Sequence, residues 1–417
     1  MPAILRYGND CSVRLESPEG GVMAQCGAPR GLPLDDPSAA VAASLAEPLD
    51  YPPLVRATTP EDRIVILLED GVPRAAEVVA AVVHTLVEGG VSTDGLTVLQ
   101  TRSEAAAGGD PRRLTPPAWQ NDIGLVTHDP ANRRDLAYLA ARQSGEPILL
   151  SRVIHDADVV LPIGCLHPPS SAGYYGIHSS VYPAFSDEAT IHRFRTPGAL
   201  KRRAKDRERL AEEVEEVAWL LGLQFTIQVV PGCGDRVLDV LAGNPPSVAR
   251  RGAEVYAQAW DCSVPRSAPL VVAAVPGGPT QQTWTNVGRA LAAATALVED
   301  DGAIVLCSEL RETPGPALRR IGGARSRQMA LKQIARSLPA DALPAAQLAD
   351  ALERGHVYLL SRLSPEVVEQ LDVTPLDRAE DLARLVRRFD SCIVLSNACH
   401  ALVRLAEDGA AGTAQGS

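Results

Sequence analysis

Aromatic residues are scarce in this sequence, with 4 Trp, 8 Tyr and 4 Phe among 417 residues. Hydrophobic residues still make up 46% of the chain, so Ala, Val and Leu must form most of any core. Such a core suits helices packed on parallel strands. No apolar run approaches the roughly 18 residues that a membrane span needs. The first residues, Met1–Arg6, also lack the apolar segment of a signal peptide. We therefore predict a cytoplasmic protein without a membrane partner.

Paired cysteine motifs and clustered positive charge are also missing. The eight Cys are scattered, with no Cys-x-x-Cys, which predicts reduced thiols rather than a disulfide framework or a metal motif. The net charge is −11, whereas binding to a phosphate backbone needs clustered Lys and Arg. One basic run, residues 201–207, is followed at once by acidic residues, as on a solvated helix. The charge pattern therefore predicts no nucleic-acid partner.

Short apolar runs alternate with helical patterns along the chain. Ile64–Leu68, Ala75–Glu88 and Leu96–Gln100 read as strand, helix and strand, and a second alternating block begins at Leu270. Such alternation predicts an α/β fold of two domains with parallel or mixed sheets flanked by helices, and with a cleft between them. The predicted division is an irregular lead-in (1–60) with an edge strand near Ala3–Tyr7, two α/β domains (61–265 and 266–405) joined by a linker at 262–269, and a disordered tail (406–417).

Three groups of motifs follow one another between about residues 60 and 400. They contain Thr127-His128-Asp129-Pro130, then Ala172-Gly173-Tyr174-Tyr175-Gly176, and then Pro276-Gly277-Gly278-Pro279. In this order they resemble the LarA-type lactate racemase family, whose members are racemases and epimerases that depend on a nickel-pincer nucleotide. The resemblance implies a 2-hydroxy acid substrate, a Lys that carries the cofactor covalently, a His that ligates nickel, and two further His as an acid/base pair.

When the family's functional positions are carried over, most of them fall on different residue types. His128 falls on one acid/base position, but the second falls on Pro169, the covalent Lys on Ser179 and the nickel-ligand His on Arg195. A serine hydroxyl cannot form the covalent link that a lysine amine forms. A proline side chain can neither accept nor donate a proton, and a guanidinium repels Ni²⁺. The Lys after the Gly-Gly turn falls on Thr280. We therefore predict a degenerate active site and leave the cofactor unknown.

The predicted catalytic residue is His128, because crevices of parallel sheets open at the carboxyl ends of strands and His titrates near neutral pH. Its alternative is a hydrogen bond to Asp129 or to a loop carbonyl. The predicted substrate- or cofactor-binding residues come from the resembling motifs and their flanks. They are Asp70, Arg74, Tyr174, Tyr175, His178, Arg195, Gly277 and Gly278. The tyrosines could equally pack a loop onto the sheet, and the Gly-Gly pair could be a plain turn.

A rebuilt metal site is a second interpretation of the same region. His167, His178 and His192 lie close to the vacated family positions, and with His128 they could bind Zn²⁺, Ni²⁺ or Fe²⁺ directly. Their spacings of eleven and fourteen residues match no established ligand motif. The alternative is that they are ordinary polar residues in a wet cleft.

Three functions follow from these patterns. The leading one is a divergent lactate-racemase-like protein that acts on or binds a small 2-hydroxy acid or polyol acid in the cleft, and that is an isomerase when active. The second is a non-catalytic ligand sensor or partner subunit. The third is a metal-dependent hydrolase or lyase that uses the histidines. The expected partner is a small molecule, and a homo-oligomer is left open.

Overall fold

The computed structural model describes residues 3–15, 21–142, 145–195, 204–337 and 339–406. The chain divides into two compact units, Gly31–Tyr256 and a second unit made of Met1–Arg30 with Ala257–Ser417. The predicted disordered tail lies outside the described residues beyond Ala406.

The strands are, in chain order, β1 (Ala3–Tyr7), β2 (Cys11–Leu15), β3 (Val22–Cys26), β4 (Ile64–Leu68), β5 (Leu96–Gln100), β6 (Gly124–Thr127), β7 (Leu136–Ala141), β8 (Pro147–Ser151), β9 (Val159–Cys165), β10 (Thr226–Pro231), β11 (Val237–Gly243), β12 (Asp261–Val264), β13 (Ala268–Ala274), β14 (Val298–Cys307), β15 (Gly355–Leu360), β16 (Thr374–Leu376), β17 (Cys392–Leu395) and β18 (Leu402–Leu405).

The α-helices are α1 (Pro37–Ala46), α2 (Ala75–Glu88), α3 (Arg102–Gly108), α4 (Pro117–Gln120), α5 (Arg152–His155), α6 (Glu188–Phe194), α7 (Ala204–Leu220), α8 (Pro245–Trp260), α9 (Trp284–Thr295), α10 (Pro316–Gly322), α11 (Arg327–Ser337), α12 (Ala342–Arg354), α13 (Pro365–Glu369) and α14 (Ala379–Val386). Short 3-10 turns lie at Leu54–Arg56, Thr93–Gly95, Arg133–Asp135 and Ile177–Ser180.

The unit Gly31–Tyr256 is built on a six-stranded sheet in the order β11-β10-β9-β4-β5-β6. All neighbours in it are parallel except β10 and β11, which are antiparallel, so the sheet is mixed. Every residue of β4 is buried, as expected for a strand covered on both faces. Ile64, Ile66 and Leu68 pack towards α1 and α2, while Val65 and Leu67 pack against α5 and Phe185. The alternation of the two faces along β4 thus defines two cores.

The second unit contains a six-stranded sheet in the order β16-β15-β14-β13-β17-β3, and all of its neighbouring strands are parallel. The β1-β2 hairpin and α14 form a core with one face of this sheet. The predicted α/β class, with parallel and mixed sheets flanked by helices, is confirmed.

Two segments differ from the sequence-based expectations. Residues 1–60 are not an irregular lead-in with a single edge strand, because they contain β1, β2, β3 and α1. The predicted linker 262–269 contains most of β12 and the start of β13. β3 pairs with β17 and β12 pairs with β18, so both strands depend on partners more than a hundred residues away. Local periodicity cannot reveal such pairing.

No helix among the described residues combines the length and the apolar character that a bilayer crossing requires.

Candidate functional site

His128 follows directly after β6, at the carboxyl end of the parallel strands of the unit Gly31–Tyr256. Its main-chain N–H donates to the Gln100 carbonyl at 2.8 Å, which continues the pairing of β6 with β5 by one residue. The sheet therefore fixes the backbone from which the imidazole extends. Ligands of open α/β sheets bind at this edge.

The His128 imidazole is buried and held at one nitrogen. Its Nε2 lies 2.8 Å from the Ser186 carbonyl oxygen, and its ring meets the Phe185 ring edge-on at 5.7 Å between centroids. Since a carbonyl can only accept, Nε2 carries the hydrogen and Nδ1 carries the lone pair. Nδ1 has no hydrogen-bond partner in the part of the chain that the structure describes. Burial lowers the pKa of His128, although the bond to Ser186 opposes this shift. The ring is therefore a neutral proton acceptor.

His128 also lines a cavity of about 300 Å³. The cavity lies between the end of β6 and α5, and its lining consists of Val126, Thr127, His128, Asp129, Asp135, Ser151, Arg152, Val153 and Asp156. That volume is at the lower end of the range for small-molecule sites, which is about 300–1,000 Å³. The cavity can therefore hold a small molecule.

The charges around this cavity are partly compensated. Asp129 forms an ion pair with Arg102 at 2.6 Å, and Asp156 lies 2.8 Å from His155 Nδ1. Asp135 accepts a hydrogen bond from the Asn132 amide at 2.7 Å.

Arg152 is the one Arg or Lys among the described residues that line the cavity. Its Nε and Nη2 donate to the carbonyls of Arg134 and Leu136 at 3.2 and 2.9 Å. Those bonds fix the guanidinium plane and leave Nη1 without a hydrogen bond to the described residues. Arg152 can therefore attract an anionic group.

Asp70 and Arg74 lie in the loop between β4 and α2. The Asp70 carboxylate accepts a hydrogen bond from the Thr101 hydroxyl, which also caps α3. Arg74 has a left-handed backbone with φ of 56° and pairs with Glu77 at 2.5 Å. Glu104, on α3, accepts the Gly71 N–H at 2.9 Å, and burial raises its pKa. The contacts with Thr101 and Glu104 bind the loop to α3, and neither Asp70 nor Arg74 lines the His128 cavity.

Tyr174 and Tyr175 are buried in the segment that follows β9. The Tyr175 hydroxyl donates to the Phe194 carbonyl at 2.8 Å, and burial raises its pKa to about 12. The Tyr174 ring packs edge-on against His167 at 5.5 Å between centroids. The Tyr175 contacts are those of a loop packed on its neighbours, which was the alternative interpretation of the tyrosines.

His178 lies in the 3-10 turn Ile177–Ser180 and is 6% exposed. Burial lowers its pKa to about 4. Its Nε2 lies 3.7 Å from Glu215 Oε2, and its Nδ1 has no hydrogen-bond partner among the described residues. The Glu215 side chain is 60% exposed, so solvent weakens its attraction for the imidazole. His178 is therefore a neutral imidazole.

The described residues contain no group of three or more His, Cys, Asp or Glu that could hold a metal ion. The predicted set of His167, His178 and His192 is thus not assembled as a metal centre. His178 is in a 3-10 turn and His192 is in α6, so the short sequence spacings do not bring these rings to one point.

Arg195 ends α6, where its N–H donates to the His192 carbonyl at 3.0 Å. Gly277 and Gly278 belong to the second unit, between β13 and α9. The Gly277 N–H donates to the Gly8 carbonyl at 2.8 Å, and the Gly278 carbonyl accepts from Gln281 at 2.9 Å. The N–H of Gly277 is therefore engaged within the fold, as in a plain strand-to-helix turn.

The chain's residues do not fit the nickel-pincer nucleotide that the resemblance implies. At the position of the covalent Lys, the Ser179 hydroxyl is buried and accepts the Tyr175 N–H at 2.8 Å. The sequence has three lysines in all, at 201, 205 and 332. No lysine near Ser179 in the sequence could therefore supply the side-chain amine that attaches the cofactor. Arg195, at the position of the nickel ligand, is a permanent cation. At the positions that the resemblance assigns to the covalent and metal anchors, the chain therefore carries groups of the wrong chemistry.

Sequence reasoning did not identify Arg152, Ser186 or Glu104. Ser186 contributes a main-chain carbonyl, so its residue type carries no signal. Arg152 is a single Arg among many in the sequence. Glu104 follows Thr101 by three residues, which is the spacing of a helix N-cap and could have indicated the start of α3.

Three comparisons relate the chain to known proteins. Residues 7–202 match the family model of the lactate racemase N-terminal domain. The lactate racemase of Thermoanaerobacterium thermosaccharolyticum is 20% identical over 201 residues, so the chain spans about half (46%) of that relative's length. The apoprotein structure of lactate racemase from the same organism has a TM-score of 0.78 at 17% identity, covering 97% of this chain and 100% of that one.

A crystal structure of a protein from Thermotoga maritima is also similar, with a TM-score of 0.62 and 14% identity over 90% of this chain and 100% of that chain. At these identities the solved structures establish the fold alone. The matched N-terminal domain and the curated relative show that this chain is similar to lactate racemases over its first half.

Proposed function

We propose that this chain is a member of the lactate racemase family and that it binds a small 2-hydroxy acid or polyol acid beside His128, in the unit Gly31–Tyr256. The observation that carries the proposal is the state of the His128 ring. Ser186 holds Nε2, burial keeps the ring neutral, and Nδ1 is left as an acceptor without a partner among the described residues. A hydroxyl group on the ligand supplies the missing donor.

The cavity gives the ligand's carboxylate a counterpart in Arg152, which lines the same space as His128. The guanidinium attracts the carboxylate, while Asp129, paired with Arg102, repels it less than a free carboxylate would. Nδ1 of His128 is buried, so the hydroxyl reaches it only after the lining side chains move. Polar contacts of ligand-free sites commonly tighten in this way on binding.

Binding is favoured over the full racemase reaction by the residues at the family's other functional positions. Racemisation needs a proton acceptor on each face of the alcohol and a cofactor that holds a hydride. The resemblance puts Pro169 at the second acceptor position and Ser179 at the cofactor's attachment point. A ligand-binding protein that keeps one acid/base residue of the family therefore accounts best for the residues present.

Isothermal titration calorimetry with D-lactate, L-lactate and gluconate tests the proposal. We expect one or more of these acids to bind, and His128→Gln to weaken binding about three- to tenfold through loss of one hydrogen bond. Arg152→Gln should weaken it about ten- to a hundredfold, because a charge-assisted contact is lost. Arg63→Gln, at an exposed ion pair with Asp158, is the matched control and should bind like the wild type.

Equal affinity in the wild type and in His128→Gln would overturn the site assignment, and so would the absence of binding to all three acids. A separate incubation of the wild type, expressed with the cofactor-making enzymes, followed by chiral chromatography, tests turnover. Conversion of D-lactate into L-lactate that is lost in His128→Ala would show that the racemase interpretation is correct and that the binding-only proposal is wrong.

A further inference from the structure

Cys26 and Cys262 form a disulfide in the second unit, with 5.8 Å between their Cα atoms. This differs from the predicted set of reduced thiols. The two residues are 236 positions apart, so their sequence spacing gives no sign of the pairing. Cys26 is the last residue of β3, and Cys262 lies in β12.

The bond lies next to both places where the chain passes from one unit to the other. The first passage is between Arg30 and Gly31, and the second is between Tyr256 and Ala257. Close to the disulfide, the Arg30 N–H donates to the Ala259 carbonyl at 2.9 Å. The disulfide and this hydrogen bond join the outgoing and the returning segments where both belong to the same unit.

β3 depends on this attachment more than the strands in the middle of the sheet do. It is the edge strand of the parallel sheet and pairs with β17 alone within that sheet. Its end is held by the disulfide and by the Asn397 side-chain amide, which donates to the Gly27 carbonyl at 2.7 Å. Opening the disulfide therefore leaves β3 with one neighbouring strand and few other attachments.

The two cysteine residues differ in their exposure to solvent. Cys26 is 4% exposed, whereas Cys262 is partly exposed. An external thiolate can therefore attack the Cys262 sulfur, which breaks the Cys26–Cys262 bond and releases Cys26 as a thiolate that takes up a proton. A second external thiolate then attacks the external sulfur of the mixed disulfide on Cys262. Cys262 leaves as a thiolate and takes up a proton, and the two external thiols are joined in one disulfide. The reverse sequence closes the bond and consumes one small-molecule disulfide.

We propose that the Cys26–Cys262 disulfide is a reversible clamp, opened and closed by exchange with small thiols and their disulfides, that fixes β3 at the edge of its sheet. The clamp makes the attachment of the first thirty residues depend on the thiol–disulfide balance of the surroundings. It acts within one unit and does not depend on the function proposed for the His128 site.

The full-length protein equilibrated in glutathione buffers of different reduced-to-oxidised ratio tests the clamp. Alkylation and mass spectrometry give the oxidised fraction of each Cys, and hydrogen–deuterium exchange gives the protection of the β3 and β4 amides. We expect Cys26 and Cys262 to titrate together as one pair. On reduction, the protection of β3 should fall by at least about tenfold, since disulfides commonly stabilise by more than that factor, while β4 in the other unit should be unchanged.

Cys26→Ser and Cys262→Ser should each show the reduced exchange pattern in every buffer. Cys233→Ser, which removes a partly exposed free thiol of the other unit, should behave like the wild type. The wild type alone suffices if a variant fails to fold, because reduction opens the same bond. Alkylation of both residues at every ratio would overturn the proposal, as would a disulfide whose reduction leaves β3 protection unchanged.

Discussion

His178 shows how one buried imidazole couples the stability of the fold to pH. Burial lowers its pKa to about 4, from 6.5 in an unfolded chain. The folded state therefore binds the proton less readily than the unfolded state does, and stability present above pH 6.5 is lost as the pH falls towards 4. We expect His178 to account for a loss of about 3 kcal/mol in the free energy of unfolding over this range, at 1.36 kcal/mol for each pKa unit.

Urea denaturation of the wild type and of His178→Gln between pH 7 and pH 4 measures this contribution. His178→Gln should lose less stability on acidification than the wild type does. His84→Gln is the control, because the His84 side chain is 51% exposed, and it should follow the wild-type curve. Parallel curves for the wild type and His178→Gln would show that the protonation of His178 is not linked to folding.

At this scale the sequence located some side chains but not their environments. The resemblance and the strand pattern singled out His128, and the structure places it at the end of β6, buried and bonded to a carbonyl. The sequence had left a hydrogen bond of His128 to a loop carbonyl open as an alternative, and the bond to the Ser186 carbonyl is of that kind. The Ser186 carbonyl and Arg152 were not predictable, since a main-chain group has no residue signature and an isolated Arg has no distinctive spacing. The predicted role of His128 stays a prediction.

Thr101 links two elements at the carboxyl edge of the mixed sheet. Its hydroxyl accepts the Glu104 N–H at 3.1 Å as the N-cap of α3 and donates to the Asp70 carboxylate of the neighbouring loop. We expect Thr101→Ala to lower the free energy of unfolding by about 1 kcal/mol, the usual cost of a lost N-cap. Thr101→Ser keeps the hydroxyl and should stay within about 0.5 kcal/mol of the wild type.

Urea denaturation at pH 7 measures both Thr101 variants. If Thr101→Ser were as destabilising as Thr101→Ala, packing of the threonine methyl group rather than the cap would explain the loss.

Elements with a strong local pattern were predictable, and those with distant partners were not. The predicted bounds of β4, α2 and β5 agree with the structure, because an apolar run followed by a helical period and a Gly-Gly end is a local signal. β11, which pairs antiparallel with β10, was not predicted. β3 and β12 were missed because each is stabilised by a strand from the end of the chain, β17 and β18 respectively.

The division of the whole molecule follows from the same distant pairing. The sequence predicted boundaries at residues 60 and 265, while the compact units meet along the chain at residues 30 and 256. Residues before Gly31 belong with the second unit because β3 adds to its sheet and because Leu5, Val13 and Leu15 share a core with Leu270 and Val272. The order of elements along the chain does not indicate that its first thirty residues belong with the second unit.

One unit is therefore continuous in sequence and the other is not, which predicts different behaviour of the isolated pieces. Residues 31–256 contain their own mixed sheet and both of its cores, so this fragment should fold alone and unfold in one cooperative transition. Residues 257–406 alone lack β3 and the β1-β2 hairpin, so part of the apolar face of their sheet is uncovered. We expect that fragment to aggregate, and residues 1–30 fused to its N-terminus through a Gly/Ser linker to restore a cooperative transition in circular dichroism. If residues 257–406 folded cooperatively without this addition, the first thirty residues would be an appendage of the unit rather than a part of its core.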